Sequence, residues 1–158
     1  MVPYKVKCGA GNYQTDPEIK QVLDYVTNPE KTNFEIICGG ALVPKLATLS
    51  MECVTDAYHN EIGTHLRHSI LSFPPGGPIT KEDIADIGRK AIQYYEDEYQ
   101  ILAAVHTDES HLHLHFVMNT TNYNDGSKYK GRKQDLYAFQ KHLKTILKPY
   151  GLSVELVK

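Results

Sequence analysis

Histidines alternate with leucines in one short stretch of the chain, a pattern that could hold a metal ion. Residues 111–115 read His-Leu-His-Leu-His, and Phe116, Val117, Met118 and Asn119 follow. Alternation of polar and apolar residues is typical of a half-buried β-strand, whose successive side chains point to opposite faces. Two imidazoles on one face have Cα atoms about 6.6 Å apart, so both could bind one divalent cation at about 2.0–2.1 Å.

A third imidazole is available just upstream. Residues 100–106 read Gln-Ile-Leu-Ala-Ala-Val-His, the pattern of a buried strand, and the polar residues 108–110 favour a turn. A hairpin would bring His106 back to the histidine strand if the register places both on one face. Geometry alone does not choose between His106 and His111 as the third ligand. The alternative is a solvated, histidine-rich face, but four histidines within ten residues favour a binding site.

The bulk properties are those of one ordinary globular domain. The chain has 158 residues, of which 41% are hydrophobic and 23% are charged, which fits a single domain over 1–158 or one excised from a longer chain. No apolar run approaches the ~20 residues of a membrane span, and no signal peptide follows Met1. We therefore expect a cytoplasmic protein without membrane insertion.

Charge is distributed unevenly along the chain. The net charge is −2, yet residues 126–150 hold seven cations and one anion, whereas residues 82–109 hold eight carboxylates. A basic face could orient a polyanion such as DNA, although surface lysines are often merely solvated. The residues predicted to contact DNA phosphates are Lys128, Lys130, Arg132 and Lys133.

Strand and helix patterns mix along the chain and predict an α+β fold. We expect a central antiparallel sheet of about five strands, with helices packed on one face and the site on the opposite face. Predicted strands lie at 4–8, 66–73, 100–106, 111–119 and 152–157, with 34–38 a strand or a loop. Predicted helices begin at Asp16, Leu46 and Thr80, and a last one ends before Pro149.

Four stretches, in order, resemble the MobP-type relaxases, which are mobilisation nucleases of conjugative plasmids and integrative elements in the HUH endonuclease superfamily. Residues 25–32 (Tyr-Val-Thr-Asn-Pro-Glu-Lys-Thr) resemble the nucleophile motif, and residues 68–76 (His-Ser-Ile-Leu-Ser-Phe-Pro-Pro-Gly) the second motif. Residues 106–119 resemble the metal motif, and residues 125–129 (Asp-Gly-Ser-Lys-Tyr) the segment that follows it. The four together are far more specific than any one of them.

The resemblance implies a role for individual residues. Tyr25 would be the nucleophile, and the metal ligands would be His106, His113 and His115. Residues that would lie behind a ligand or beside DNA are His111, Asn119, Ser72 and Asp108. Candidates for a carboxylate that orients a ligand histidine, left unranked, are Asp108, Glu109 and Glu61. Gly77 stands where the family commonly has Glu, so no role passes to that position.

The implied activity is site- and strand-specific nicking and rejoining of DNA at a transfer origin through a 5′-phosphotyrosyl intermediate, which initiates conjugative mobilisation. The implied cofactor is a divalent metal ion, for which three imidazoles suit Mn, Zn, Co or Ni better than Mg. The implied partners are single-stranded or hairpin DNA at the origin, with accessory relaxosome and coupling proteins.

Two other functions fit parts of the sequence. Residues 111–117 also match the pattern of histidine-triad nucleotide hydrolases, in which His113 would be the nucleophile and no metal would be needed. That short pattern leaves Tyr25 and the basic segment without a role. A non-catalytic module that only binds an origin sequence is the other alternative.

Overall fold

The computed structural model describes residues 1–7, 13–32 and 36–157. Six strands form one sheet: β1 (Val2–Lys7), β2 (Ile37–Gly39), β3 (Leu66–Phe73), β4 (Ile101–His106), β5 (Leu112–Asn119) and β6 (Val154–Val157). Their order across the sheet is β2-β4-β5-β3-β1-β6. All neighbours are antiparallel except β1 and β6, which are parallel. The α+β class is confirmed, and the sheet is mixed and has one strand more than the five expected.

Within the described ranges four α-helices cover this sheet: α1 (Asp16–Val26), α2 (Ala47–Ala57), α3 (Lys81–Ile92) and α4 (Lys133–Leu147). Helices α3 and α4 pack on one face, where the core includes Leu114 and Phe116 of β5. None of the helices in the described ranges is both long and apolar enough to cross a membrane.

Helices also lie on the face of the sheet that carries His106 and His113, called here the histidine face. This corrects the expectation that helices would occupy one face only. Helices α1 and α2 pack there against a second apolar cluster that includes Leu102, Ala104 and Val117. The physical reason is the composition of β4, which is buried along its whole length and is apolar on both sides up to His106. Two apolar faces require cover on both sides, so only the end of the sheet near His106 and His113 is left for a polar site.

Local sequence explains where α1 begins and ends. The Glu18 carboxylate accepts a hydrogen bond from the backbone N–H of Thr15 at 3.0 Å, which satisfies a donor at the start of the helix. At the other end, the Thr27 hydroxyl donates to the Leu23 carbonyl at 2.7 Å. The first predicted strand ends at Lys7 in the structure, and its proposed last residue, Cys8, lies outside the described residues.

Candidate active site

The β4–β5 hairpin places the three predicted ligands on one face of the sheet. In its antiparallel register His106 lies opposite His113, and Ala104 lies opposite His115. Because side chains alternate along a strand, all three imidazoles project from the same face. The ring centroids of His106 and His115 are 3.9 Å apart, and those of His113 and His115 are 6.3 Å apart. The predicted hairpin is confirmed, and its register is the one that the site requires.

Helix α1 brings Tyr25 against these histidines. Its apolar stripe is buried on the histidine face and consists of Ile19, Val22, Leu23 and Val26. Tyr25 lies beside this stripe with 43% of its surface exposed. Its ring centroid is 5.4 Å from that of His106 and 5.8 Å from that of His115, both in edge-on contacts. Tyr25 and His115 also line the same cavity, which has a volume of about 470 Å³.

Two of the three imidazoles have one ring nitrogen within hydrogen-bond distance of the protein, and the third lies near a carboxylate. The Nε2 of His106 is 2.8 Å from the carbonyl oxygen of Val26. The Nδ1 of His115 is 2.9 Å from the Nε2 of His68, and the Nδ1 of His113 is 3.7 Å from a carboxylate oxygen of Glu109. Among the described residues no hydrogen bond engages the other nitrogen of these three rings, so that nitrogen is left for another partner.

Burial keeps two of these rings, those of His106 and His115, uncharged. It lowers the pKa of His115 to about 2, with further lowering from His106 and the other nearby imidazoles. It also lowers the pKa of His106, against the effect of the Val26 carbonyl, which raises it. At neutral pH both rings are therefore neutral and have a lone pair available. Neutral imidazoles are the form in which histidine binds metals.

The chemistry of this donor set fits a divalent cation, although the rings as they stand do not form a finished site. Within the described ranges no group of three or more His, Cys, Asp or Glu side chains is placed so that it could hold a metal ion. Three neutral imidazoles are nevertheless the donors that Mn, Zn, Co and Ni accept. One nitrogen of each ring faces an oxygen or nitrogen of the protein, which is how metal-binding histidines are usually oriented.

Asp108 is connected to the site by an ion pair with Lys31. Lys31 was not among the residues predicted from the sequence. The Lys31 ammonium is 3.1 Å from an Asp108 carboxylate oxygen, and this hydrogen bond holds the pKa of Asp108 below its usual value. The same ammonium lies 5.1 Å from the centre of the Tyr25 ring. Lys31 belongs to the stretch that resembles the nucleophile motif, and that was the signal available for it.

His68 and Tyr13 also line the cavity beside Tyr25. His68 lies on β3 with 5% of its surface exposed and contacts the His115 ring. Burial, with a contribution from Lys7, lowers the pKa of His68 to about 4. His68 opens the stretch that resembles the second motif, but within that stretch the resemblance implies a role for Ser72 alone.

Ser72 and His111 lie at the outer end of the histidine face. Ser72 is opposite His113 in the β3–β5 register and is half-buried. His111 is exposed, and its ring stacks 6.2 Å from that of His113. Of the three carboxylates proposed to orient a ligand, Glu109 approaches His113, whereas Asp108 pairs with Lys31. The third, Glu61, contributes a backbone carbonyl that accepts from the His65 ring at 2.7 Å.

Asn119 does not lie beside DNA or a ligand, which corrects the sequence-based expectation. It is fully buried at the far end of β5. Its amide nitrogen donates to the Met51 carbonyl at 3.2 Å and to the Gln100 side chain at 3.0 Å. Its amide oxygen accepts from the Thr121 backbone N–H at 3.0 Å. The amide is therefore saturated by the protein and ties β5 to α2.

Lys128 is likewise unsuited to the predicted contact with DNA phosphate. Its ammonium donates to the backbone carbonyls of Asn60 at 3.2 Å and Ile62 at 2.9 Å, and burial lowers its pKa. The other three predicted phosphate contacts, Lys130, Arg132 and Lys133, are exposed around the start of α4. The structure thus leaves three of the four cations accessible to a polyanion.

The chain matches one protein family model and several curated proteins. The family model described as "Relaxase: MobA/VirD2-like, nuclease domain" matches residues 25–152. The "Group II intron-interrupted relaxase LtrB" of Lactococcus lactis subsp. cremoris (strain MG1363) is 38% identical over 147 residues, covering 75% of this chain and 26% of the relative. "Protein rlx" of Staphylococcus aureus is 31% identical over 97 residues, covering 61% of this chain and 30% of the relative.

A solved structure shares the fold. It is described as "Molecular Basis of Vancomycin Resistance Transfer in Staphylococcus aureus" and superposes with a TM-score of 0.56 at 14% identity. The match covers 80% of this chain and 75% of that chain. At this identity the likeness supports the α+β architecture alone. The chain spans only about 26% and 30% of the length of the two curated relatives.

Proposed function

Because this chain belongs to the relaxase family defined by the MobA/VirD2-like nuclease domain, we propose that it nicks and rejoins one DNA strand at a transfer origin through Tyr25. The phenolic oxygen bonds to the phosphorus and loses its proton, while the bond from phosphorus to the 3′ oxygen breaks and that oxygen gains a proton. The products are a 5′-phosphotyrosyl link and a free 3′-OH. The reverse attack by the 3′-OH reseals the strand, because the phosphodiester bond is conserved.

The observation that supports this proposal is the contact of Tyr25 with two of the three clustered histidines. Its ring lies 5.4 Å from His106 and 5.8 Å from His115, at the border of an open cavity. The two histidines are far from Tyr25 in sequence, so the fold brings them together. A half-exposed phenol at this position is accessible to a DNA strand.

The residues that would hold a divalent ion are His106, His113 and His115, through the ring nitrogens that the protein leaves unengaged. Relaxase nuclease domains generally use a divalent metal ion. When bound, such an ion supplies Lewis acidity toward the phosphate oxygens, on which negative charge builds. The Lys31 ammonium adds positive charge near the phenol that attacks.

The proposed substrate is single-stranded or hairpin DNA at the origin of a mobile element. Lys130, Arg132 and Lys133 are exposed cations that would contact its phosphates. Accessory relaxosome proteins and a coupling protein are the proposed partners. We also propose that the protein to which this chain belongs initiates conjugative mobilisation of that element.

Adduct formation tests the proposal directly. Labelled single-stranded oligonucleotides that tile the DNA encoding this chain and its flanks are incubated with the protein, with Mn²⁺ or with EDTA. We expect a covalent adduct with one oligonucleotide that requires the metal, and mass spectrometry should locate it on Tyr25. Tyr25→Phe should form none, because the variant has no phenolic oxygen.

Tyr94→Phe is the matched control, since Tyr94 has 41% of its surface exposed and lies just beyond α3, where its ring contacts Phe139 of the core on the other face of the sheet. This variant should form the adduct as the wild type does. An adduct on a different tyrosine would contradict the assignment of the nucleophile. Nucleotide hydrolysis that resists EDTA and is lost in His113→Ala would favour the histidine-triad alternative. Binding of one oligonucleotide without any adduct would favour an origin-binding module.

A further inference from the structure

A fourth histidine, His68, lies behind the candidate metal ligand His115. His68 on β3 is the diagonal neighbour of His115 on β5, since His68 pairs with Val117 two residues further along β5. The Nε2 of His68 is 2.9 Å from the Nδ1 of His115, and the rings stack at 26°. Both side chains are buried, with 5% and 3% of their surface exposed. A hydrogen bond between two buried imidazoles fixes where their protons lie.

The direction of this hydrogen bond decides whether His115 can bind a cation. A neutral imidazole has one N–H donor and one lone pair. If His68 donates to the Nδ1 of His115, the proton of His115 lies on Nε2, and no lone pair remains for a metal. If His115 donates from Nδ1, its Nε2 is free to bind.

Tyr13 completes the chain of contacts on the other side of His68. Its phenolic oxygen is 3.1 Å from the Nδ1 of His68. When the Nδ1–H of His68 donates to this oxygen, the Nε2 of His68 carries the lone pair and can accept from His115. The tautomers of the two rings are thereby coupled.

We propose that His68 is a positioning residue that accepts the Nδ1 proton of His115 and so directs the Nε2 lone pair of His115 toward the bound metal ion. The inference depends on the proposed function, because it presupposes a metal held by His115. A neutral imidazole in this place orients the ligand without adding a negative charge, so the positive charge of the ion is available to the phosphate.

Two measurements test the proposal, and the first needs neither metal nor activity. Long-range proton–nitrogen NMR of the metal-free protein reports which ring nitrogen of each histidine bears the proton. We expect His115 and His68 both to be protonated on Nδ1, with His68→Gln used to assign the signals. A proton on the Nε2 of His115 overturns the proposal, whatever the variants do.

The second measurement is cobalt affinity, followed by visible absorbance and chelator competition. His68→Leu removes the acceptor and should weaken binding by about 10- to 100-fold, the usual effect of losing such a partner. His68→Gln retains an acceptor oxygen and should restore most of the affinity. His142→Leu is the control, because His142 lies on α4 and bonds to the Lys90 carbonyl; it should bind like the wild type.

The outcomes separate this inference from the proposed function. A folded His68→Leu variant with wild-type cobalt affinity overturns the positioning role and leaves the metal site intact. If that variant does not fold, His68→Gln with an affinity as poor as that of His115→Ala overturns it instead. A wild-type protein that binds no cobalt removes the metal centre itself, and the inference falls with it.

Discussion

The ammonium nitrogen of Lys31 lies 5.1 Å from the centre of the Tyr25 ring and is paired with Asp108 at 3.1 Å. The backbone holds this arrangement as well, because the N–H of Thr107 donates to the Lys31 carbonyl at 2.8 Å. Thr107 directly follows His106, so the segment after α1 is tied to the end of the histidine hairpin. A cation is therefore fixed beside the phenol and next to a candidate metal ligand.

Replacing Lys31 by Met should slow strand cleavage. The positive charge lies beside the phenol that would attack, and the lysine is partly exposed, so solvent screens part of its effect. We expect a loss of about tenfold in the single-turnover rate of adduct formation. Lys31→Arg keeps the charge and should recover most of the rate. Lys20→Met, on α1 and paired with Asp24, is the control and should leave the rate unchanged.

Replacing Asn119 by Ala should destabilise the fold without impairing the chemistry of the folded molecules. The change removes the donor to the buried Gln100 side-chain oxygen and the acceptor of the Thr121 N–H. We expect the free energy of unfolding in urea to fall by about 3 kcal/mol. Asn124→Ala, which loses one exposed hydrogen bond to the Asp97 carbonyl, should cost far less. Equal stability of the two variants, with weakened DNA binding by Asn119→Ala alone, would restore the DNA contact first expected of Asn119.

The strands and helices near the site could be predicted because their patterns are local. Alternation in β5 and the polar turn before it predict the hairpin, and the Thr80–Asp83 capping box marks the start of α3. The resemblance to relaxases is confirmed by the family match over 25–152. The roles given to Tyr25 and the three ligand histidines remain predictions, although the fold brings these residues together.

Other features depend on contacts between distant parts of the chain, which a single sequence does not reveal. Asn119 lies in the apparently polar series of the histidine strand, yet α2 covers that end of the sheet and buries it. Lys128 lies in the basic segment, yet the loop at residues 60–62 provides carbonyls that bind it. His68 acquires its significance only from the β3–β5 register.

The basic residues should separate into two groups in DNA binding. Changing Lys130, Arg132 and Lys133 together to Ala should weaken binding to single-stranded DNA and reduce the slope of log K against log salt concentration by about 2, since each phosphate contact accounts for about 0.7. Changing Lys141, Lys144 and Lys148 to Ala removes the same charge elsewhere and serves as the control. An equal reduction of the slope in both triple variants would show that net charge alone attracts the DNA.

Lys128→Met should behave differently from that triple variant. It removes the two hydrogen bonds to the carbonyls of Asn60 and Ile62, so the loop at residues 60–62 loses an anchor. We expect a lower melting temperature in thermal unfolding and an unchanged salt slope. A reduced slope with an unchanged melting temperature would place Lys128 among the phosphate contacts after all.

The metal-free protein should lose stability as the pH falls from neutrality. Folding lowers the pKa of His68 to about 4 and that of His115 to about 2, whereas an unfolded histidine has a pKa of about 6.5. Above about pH 6.5 neither state binds these protons, so the two groups do not affect stability. Below it, the unfolded chain takes up protons that the folded chain excludes, and the free energy of unfolding falls with pH.

Urea unfolding in EDTA at pH 7 and pH 5 measures this effect. His68→Gln removes one of the two groups, so this variant should lose about 1.8 kcal/mol less than the wild type over that range. His142→Gln should lose as much as the wild type, because His142 is partly exposed and lies outside the cluster. If His68→Gln loses as much stability as the wild type, His68 is protonated in the folded state. A protonated His68 has no lone pair on Nε2, so it could not accept the proton of His115 in that pH range.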